Sequence, residues 1–273
     1  MLLAIDVGNT HTVIGLFEGD DILASWRMGT PRYRYETADE IGSIILNFLD
    51  HSGYDALSVE EIAISSVVPG TLEEIQKMGR KYFKCEPFII NGSVKTGLKI
   101  IYDYPGEVGA DRIANSVAAR ELYGFPAIVV DFGTATTFDI VSDEGNYIGG
   151  VITPGIEISS EALFKFAAKL SKVDLKWTEK IIGKNTYESL RAGILYGFLG
   201  QVDFIIEKII EEEKGSMENF NPVIIGTGGL SYLLKDKSRY IKVFDDNLTL
   251  KGIKILNDKN KSEKPEECDI KTS

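Results

Sequence analysis

One short pattern occurs twice in this chain and constrains its fold more than any other feature. Asp6-Val-Gly-Asn-Thr10 and Asp131-Phe-Gly-Thr-Ala-Thr136 each follow directly on a short apolar run. Each turn leads into a second β-like stretch, at Thr12–Phe17 and at Thr137–Val141. The repeat predicts two related halves, each opening with a strand, a tight turn and a second strand.

The residue types in these turns are those of a phosphate and cation site. A carboxylate at a strand end can hold a metal ion or its waters, and glycine lets backbone N–H groups approach an anion closely. Two such turns facing one nucleotide make a phosphotransferase the leading hypothesis. The alternative interpretation is a pair of ordinary hairpin turns, which use the same Asp, Gly and Asn residues.

Composition excludes several other classes of function. The net charge of −11 and the pI near 4.8 argue against nucleic acid or an anionic membrane as the main partner. Cys85 and Cys268 lack metal-like spacing and are expected to be free thiols in a reducing compartment. The first residues lack a secretory pattern, and no apolar run reaches the ~18 residues of a membrane span, so we expect a cytoplasmic protein.

The first half reads as three sequential strands followed by alternating helices and strands. Thr37 and Glu40 have the spacing of a capping box at a helix start, and Thr71 and Glu74 form a second candidate, for a helix that ends near Phe83. The predicted strands are Leu2–Val7, Thr12–Phe17, Ile22–Met28, Ile62–Val68 and Pro87–Ile90.

The second half repeats this plan after a helix predicted at Val108–Tyr123. Its predicted strands are Ala127–Asp131, Thr137–Ser142, Tyr147–Thr153, Pro222–Ile225 and Lys242–Phe244. Its predicted helices are Ile156–Leu170, Thr186–Lys214, Leu230–Leu234 and Leu248–Leu256.

The domain prediction follows from this repetition. We expect an N-terminal lobe over residues 1–115, a C-terminal lobe over residues 116–256, and a disordered polar tail over residues 257–273. No low-complexity linker separates the halves, so we expect packed lobes.

Gly226-Thr-Gly-Gly229 lies between a predicted strand and a predicted helix, where backbone often passes close to a nucleotide. Close helix–strand packing would give the same composition. The spacing fits neither a G-x-G-x-x-G fingerprint nor a P-loop, so a nucleotide site here is of neither Rossmann nor Walker type.

Gly109-Ala-Asp-Arg112 opens a predicted helix. Asp111 alone could be a plain first-turn carboxylate, but Arg112 is a cation at the unfavourable end of the helix dipole, which suggests another anion nearby. Tyr102 and Pro105 lie just upstream and could form a wall of a small-molecule pocket. His11 could touch a phosphate or could be a partly exposed strand residue.

In order and spacing these motifs resemble type III pantothenate kinases, of the acetate kinase, sugar kinase, heat-shock protein and actin superfamily. The resemblance covers about residues 2–256. The motifs that carry it are the two aspartate turns, Tyr102 with Pro105, Gly109-Ala-Asp-Arg112, Gly149-Gly150, Pro154-Gly155-Ile156, Asn185-Thr186 with Gly193, and Gly226-Thr-Gly-Gly229.

The resemblance implies an α/β fold of two RNase H-like (actin-like ATPase) lobes, each with a mixed sheet flanked by helices. It implies phosphorylation of pantothenate to 4′-phosphopantothenate by ATP, the first step of coenzyme A biosynthesis. It also implies Mg²⁺ travelling with ATP, a monovalent cation (K⁺ or NH₄⁺), and a homodimer whose interface helps to build the active site.

By the same resemblance, Asp111 would be the catalytic base and Asp131 would bind the monovalent cation. The residues that would bind pantothenate are Tyr102, Gly109, Ala110, Asp111, Arg112 and Thr186. The residues that would hold the phosphates of ATP are Asp6, Val7, Gly8, Asn9, Thr10, His11, Thr12, Val13 and Thr134.

Two other functions stay open at this point. One is a kinase of the same fold acting on another small hydroxylated substrate, which a substrate screen would distinguish. The other is a nucleotide-binding regulatory protein without turnover. The presence of Asp6, Asp111 and Asp131 argues against the second.

Overall fold

The computed structural model describes residues 1–30, 37–68, 70–166, 172–216 and 220–261. The N-terminal sheet has five strands: β1 (Leu2–Val7), β2 (His11–Glu18), β3 (Asp21–Gly29), β4 (Glu61–Ser66) and β5 (Phe88–Ile89). Their order across the sheet is β3-β2-β1-β4-β5. The first three strands are antiparallel neighbours, and β4 and β5 continue the sheet in parallel.

The C-terminal sheet has the same design. It contains β6 (Ala127–Phe132), β7 (Ala135–Val141), β8 (Tyr147–Pro154), β9 (Val223–Thr227) and β10 (Val243–Phe244), in the order β10-β9-β6-β7-β8. Again three antiparallel strands are followed by two parallel ones. The two mixed sheets confirm the predicted α/β class and the predicted repeat.

Helices cover the sheets. In chain order they are α1 (Ala38–His51), α2 (Thr71–Met78), α3 (Ala110–Tyr123), α4 (Ile156–Phe166), α5 (Thr186–Ser216) and α6 (Leu248–Asn260). A π-helical turn, Gly79–Phe83, extends α2. Helix α1 begins with the predicted capping box, in which Thr37 and Glu40 bond to each other's backbone N–H groups.

The last helix crosses back to the first lobe. Helix α6 packs against α3 and also against β1 and β4. Its residues Leu250, Ile253 and Leu256 are buried in one apolar cluster with Leu2 and Ala4 of β1. One face of the N-terminal sheet is therefore covered by the C-terminal end of the described chain.

Two local predictions were wrong. Thr71 does not cap α2, because Gly70 occupies the N-cap in a left-handed conformation and no side chain caps the helix. Glu74 instead accepts a hydrogen bond from the backbone of Ala38. Residues 230–234 form only a single 3₁₀ turn, Ser231–Leu233.

Several element ends also differ from the sequence prediction. Helix α4 ends at Phe166, and residues 167–171 of the predicted helix lie outside the described residues. Helix α6 runs on to Asn260, into the segment predicted as a tail, of which residues 262–273 are outside the described part. Within the described ranges, no helix combines the length and the apolar character needed to cross a bilayer.

Candidate active site

The two aspartate turns face each other across the gap between the sheets. In the first turn the Gly8 N–H donates to the His11 carbonyl at 3.1 Å, and in the second the Gly133 N–H donates to the Ala135 carbonyl at 3.1 Å. The hydroxyl oxygens of Thr10 and Thr134 lie 2.7 Å apart and join the turns directly. The repeat predicted from the sequence therefore converges on one place.

A cavity of about 350 Å³ lies between the turns. Both turns contribute to its wall, together with the start of α3 and the glycine-rich segment after β9. The predicted site residues that line it are Asp6, Gly8, Asn9, Thr10, His11, Val13, Asp111, Asp131 and Thr134.

Three carboxylates interact electrostatically in this cavity. Burial raises the pKa of Asp6 to about 8, and the charges of Asp111 and Asp131 add to the rise. Burial also raises the pKa of Asp131 to about 6, with a further contribution from Asp111. Arg27 opposes both rises. Crowded carboxylates of this kind favour a bound proton or a bound cation.

Asp131 has a dedicated hydrogen-bond donor. The side-chain amide of Asn115, on α3, donates to Asp131 Oδ2 at 3.0 Å. The amide is itself oriented by Thr249 of α6, whose hydroxyl donates to Asn115 Oδ1 at 2.8 Å. This chain of bonds fixes the Asp131 carboxylate and lowers its pKa relative to burial alone.

The start of α3 places Asp111 at the cavity and directs Arg112 away from it. Gly109 is the N-cap and Ala110 the first helical residue. Asp111 Oδ1 accepts the backbone N–H of Arg112 at 2.8 Å, which holds the carboxylate over the first turn. Burial raises the pKa of Asp111, and that backbone bond offsets part of the rise. A carboxylate with a raised pKa is better suited to accept a proton.

Arg112 lies beside the cavity, in a buried polar group of the second lobe. Its Nε donates to Asp139 Oδ1 at 2.7 Å, and the two side chains are 9% and 0% exposed. Tyr147 also donates to Asp139 Oδ1, at 3.2 Å. The ring of Tyr102 lies 6.2 Å from that of Tyr147. Because the Tyr147 ring also contacts the Arg112 guanidinium, the predicted residues Tyr102 and Arg112 share this neighbour.

The glycine-rich segment closes the cavity from the second lobe. Gly228 has φ +88°, and a Cβ there would collide with Asp131 Oδ1. The guanidinium of Arg27, from β3 of the first lobe, occupies the space into which a side chain at position 229 would project. The segment therefore brings backbone close to Asp131 and to Arg27, where a side chain would not fit.

The structure does not bring every predicted residue to this cavity. The side chains of Val7 and Thr12 are buried in the sheet, and Thr12 bonds to the Thr30 hydroxyl at 2.9 Å. Thr186 lies elsewhere, at the start of α5. It lines a separate and more open cavity of about 930 Å³ between α4 and α5.

Sequence reasoning missed four side chains of the site: Arg27, Asn115, Asp139 and Tyr147. Asn115 follows Asp111 by four residues, so it lies on the same side of α3, and this spacing was a usable signal. Asp139 alternates with apolar residues along β7, which places it on a strand face without indicating its partner. Arg27 and Tyr147 had no local signal, because their partners are distant in sequence.

The residues present fit a nucleotide with its cations. The described residues contain no group of three or more His, Cys, Asp or Glu side chains arranged around a metal ion. A cation here would therefore share its coordination between one or two carboxylates, phosphate oxygens and water, as Mg²⁺ commonly does. The raised pKa values of Asp6 and Asp131 are consistent with carboxylates that a cation would neutralise.

Comparison with known proteins gives consistent results. The family model described as type III pantothenate kinase matches residues 2–208. A protein of Bacillus cytotoxicus named type III pantothenate kinase is 46% identical over 260 residues, which are 95% of this chain and 97% of that protein.

Solved structures support the fold. A structure from Campylobacter jejuni, titled as a Baf family transcriptional activator, has a TM-score of 0.55 at 21% identity and covers 94% of this chain and 98% of its own. A structure from Sinorhizobium meliloti, titled as a 2-dehydro-3-deoxygalactonokinase protein, has a TM-score of 0.53 at 14% identity and covers 97% of this chain and 99% of its own. At these identities the likeness concerns the fold alone.

Proposed function

The chain belongs to the type III pantothenate kinase family, and from that premise we propose how its described residues perform the family's reaction. The family's activity is ATP-dependent phosphorylation of pantothenate, which begins coenzyme A biosynthesis. The observation that carries the proposal is the convergence of Asp6, Asp111 and Asp131 on one cavity between two matching turns.

Asp111 is the general base in this proposal. Its carboxylate accepts the proton of the pantothenate hydroxyl as that oxygen bonds to the γ-phosphorus and the bond between the γ-phosphorus and the leaving ADP oxygen breaks. The raised pKa of Asp111 supports this role, since a base works best when its pKa approaches the working pH. Positioning and charge stabilisation supply most of the remaining rate enhancement in phosphoryl transfer.

The two turns hold the phosphates. Backbone N–H groups after Asp6, with the hydroxyls of Thr10 and Thr134, line the cavity on both sides. Mg²⁺ bound with ATP would neutralise charge on the phosphate oxygens. Asp131, fixed by Asn115, is the proposed ligand of a monovalent cation, K⁺ or NH₄⁺.

Pantothenate binds at the start of α3. Gly109, Ala110 and Arg112 adjoin Asp111 at the start of α3. The ring of Tyr102 lies against Tyr147, which also contacts Arg112, and these neighbours support a pantothenate site beside the proposed base. Thr186 is the exception, because it lines the cavity between α4 and α5 instead.

We assign Thr186 to the site of a second subunit in a homodimer. Several large apolar side chains on α4 and α5 are exposed in the single chain, which favours a partner covering these helices: Ile158, Leu163, Phe166 and Phe204. A dimer through these helices would let the Thr186 of one chain serve the Asp111 of the other.

The first experiment measures ADP and phosphorylated product from ATP with pantothenate, in potassium and then in sodium as the only monovalent cation. Pantothenate-dependent product is expected, with higher turnover in potassium. Absence of pantothenate-dependent product from folded protein would overturn the proposal and favour another hydroxylated substrate or a regulatory role. Equal turnover in both salts would overturn the cation assignment alone.

A second experiment tests the dimer by complementation. Asp111→Asn and Thr186→Ala chains are expressed together, and the mixed dimer is isolated by two different tags. Each mixed dimer contains a site with an intact Asp111 and an intact Thr186 only if these residues come from different chains. Activity above that of both parents is expected, and no recovery would show that Thr186 does not act across the interface.

A further inference from the structure

The guanidinium of Arg112 packs against residues of the β7–β8 hairpin. These contacts lie outside the two aspartate turns. Arg112 belongs to α3, whereas Asp139 belongs to β7, and the 2.7 Å bond between Nε and Oδ1 joins the two elements. Asp139 is 0% exposed, so its carboxylate is committed to partners within the protein. Buried charges persist where they are paired and hydrogen-bonded.

Two hydroxyls complete the partners of Asp139. Tyr147 donates to Oδ1 at 3.2 Å and Thr137 donates to Oδ2 at 3.3 Å. The guanidinium carbon of Arg112 also lies 5.8 Å from the centre of the Tyr147 ring, within reach of a cation–π contact. The carboxylate and the ring thus fix the guanidinium from two directions.

Gly150 provides the space for this arrangement. A Cβ at position 150 would collide with Arg112 Nη2 and with the Phe138 carbonyl. The strand residue facing the guanidinium must therefore be glycine. This gives a physical reason for the second glycine of Gly149-Gly150, a motif that phosphate binding does not explain.

The described residues leave one terminal nitrogen of Arg112 without an acceptor. Within the described ranges, Nη2 is buried and has no hydrogen-bond partner. A buried donor without a partner is costly and recurs at functional sites, where a ligand supplies the acceptor. Arg112 follows Asp111 in the first turn of α3, so an acceptor bound here would lie on the adjoining side of that turn.

On the basis of the proposed function, we infer that Asp139 and Tyr147 are positioning residues, which hold Arg112 so that its terminal nitrogens bind the carboxylate of pantothenate. A guanidinium matches the planar geometry of a carboxylate and donates two parallel hydrogen bonds to it. Pantothenate carries a hydroxyl that is phosphorylated and one carboxylate. Binding the carboxylate therefore selects the acid over neutral analogues and orients the hydroxyl.

The test is Asp139→Asn, which keeps the size of the side chain and an oxygen that can accept from Arg112 Nε while it removes the charge. The expected result is a rise of about tenfold or more in KM for pantothenate, since one charge-assisted bond is weakened. KM for ATP should stay within about twofold, because the nucleotide turns are not in contact with Asp139.

A neutral substrate analogue separates positioning from general damage. Panthenol has an alcohol in place of the carboxylate, and its binding should be nearly the same in wild type and Asp139→Asn. Three results would overturn the inference. Asp139→Asn could weaken binding of pantothenate and panthenol equally, it could raise KM for pantothenate and for ATP in parallel, or it could leave KM for pantothenate unchanged.

The matched control is Asp203→Asn. Asp203 is also a buried aspartate, 3% exposed, and it accepts from Arg239 Nε at 3.3 Å and from the Ser238 hydroxyl at 2.6 Å, away from the cavity. This variant should lower thermal stability without changing KM for pantothenate. A similar KM rise in Asp203→Asn would show that loss of any buried aspartate charge is sufficient, and would overturn the assignment.

Tyr147→Phe covers the case in which Asp139→Asn does not fold. It removes the donor to Asp139 and keeps the ring, so KM for pantothenate should rise by about threefold to tenfold. No rise would overturn the role of Tyr147. Turnover of pantothenate by the wild type is measured in the same assay. No turnover by the wild type would refute the proposed function, whereas normal turnover with an unchanged KM in the variants would refute this inference alone.

Discussion

In the first lobe the turn after β1 closes between Gly8 and His11, whereas in the second lobe the turn after β6 closes between Gly133 and Ala135, one residue shorter. The shorter turn is backed by Asn115 of α3, which bonds to Asp131. The first turn is backed by the neighbouring strand β4, where Ser65 lies in register with Asp6.

This difference appears in the electrostatics of the two aspartates. Burial raises the pKa of Asp6 to about 8 and that of Asp131 to about 6. A side-chain hydrogen bond lowers each value, from Ser65 and from Asn115, but two neighbouring carboxylates raise the pKa of Asp6, whereas Asp111 alone does so at Asp131. The ionised form is therefore disfavoured more strongly at Asp6 than at Asp131, and the three neighbouring carboxylates titrate as a coupled group. The two turns thus share a backbone pattern but differ in the groups that surround their aspartates.

The largest expected effect comes from replacing Asp111, which lines the cavity between the two turns. Asp111→Asn should reduce kcat by about 10²–10⁴-fold, because the proton acceptor is lost. Both turns remain intact, so ATP binding measured by calorimetry should be preserved. Asp103→Asn, at an exposed position of the segment before α3, is the control and should retain normal kcat. Near-normal turnover of Asp111→Asn would remove Asp111 from the role of base.

The next effect distinguishes the two aspartates. Asp131→Asn should lose potassium stimulation and turn over about 10²-fold more slowly than wild type in potassium, because the ionised ligand is gone. Asp6→Asn should keep the ratio of rates in potassium and sodium, even if its turnover falls. If both variants lose the potassium response equally, the two turns do not differ in the way described.

A smaller effect is expected where the turns meet. Thr10→Val and Thr134→Val should each raise KM for ATP by about threefold to tenfold, because each removes a hydroxyl from the cavity. The double variant should show less than the product of the single effects, since the two hydroxyls lie 2.7 Å apart and share one hydrogen bond. If the KM change of the double variant equalled the product of the two single changes, the two hydroxyls would act independently.

The smallest expected effect is on the pH dependence of thermal stability, measured without nucleotide. Asp6 binds its proton more tightly in the folded state than in the unfolded chain, so its contribution is present at low pH and is lost as pH rises toward about 8. Between about pH 6.5 and 8.5 the melting temperature of wild type should fall by a few degrees. Asp6→Asn should flatten this slope. Asp131→Asn should reduce it less, because the Asp131 charge supplies only part of the rise in the pKa of Asp6, and identical slopes in the two variants would contradict the assignment.

Local sequence patterns were sufficient to predict the two sheets and the two aspartate turns of the site. The apolar runs, the hairpin turns and the capping box at Thr37 involve neighbours in sequence, and the structure reproduces them. The predicted cap at Thr71 was wrong because Gly70 adopts a left-handed conformation, which no spacing rule reveals.

The remainder of the site depends on contacts between distant residues. Arg112 meets Asp139 across 27 positions, and Thr10 meets Thr134 across 124. Each partner has an ordinary explanation in its own segment, as a strand polar residue or a turn hydroxyl. Only the packing of the two sheets shows that they form pairs, so Asp139 and Tyr147 could not be identified from the sequence.

Helix α6 has a consequence for the order in which the protein can mature on the ribosome. One face of the first sheet is covered by Leu250, Ile253 and Leu256, which are synthesised after nearly all of the second lobe. Helix α3 covers part of this face, since Ile113 and Val117 belong to the same cluster, but the remainder stays exposed on the nascent chain until α6 follows. That remainder is covered only once α6 has been synthesised, so we expect the first lobe to complete its packing after the strands of the second lobe have emerged.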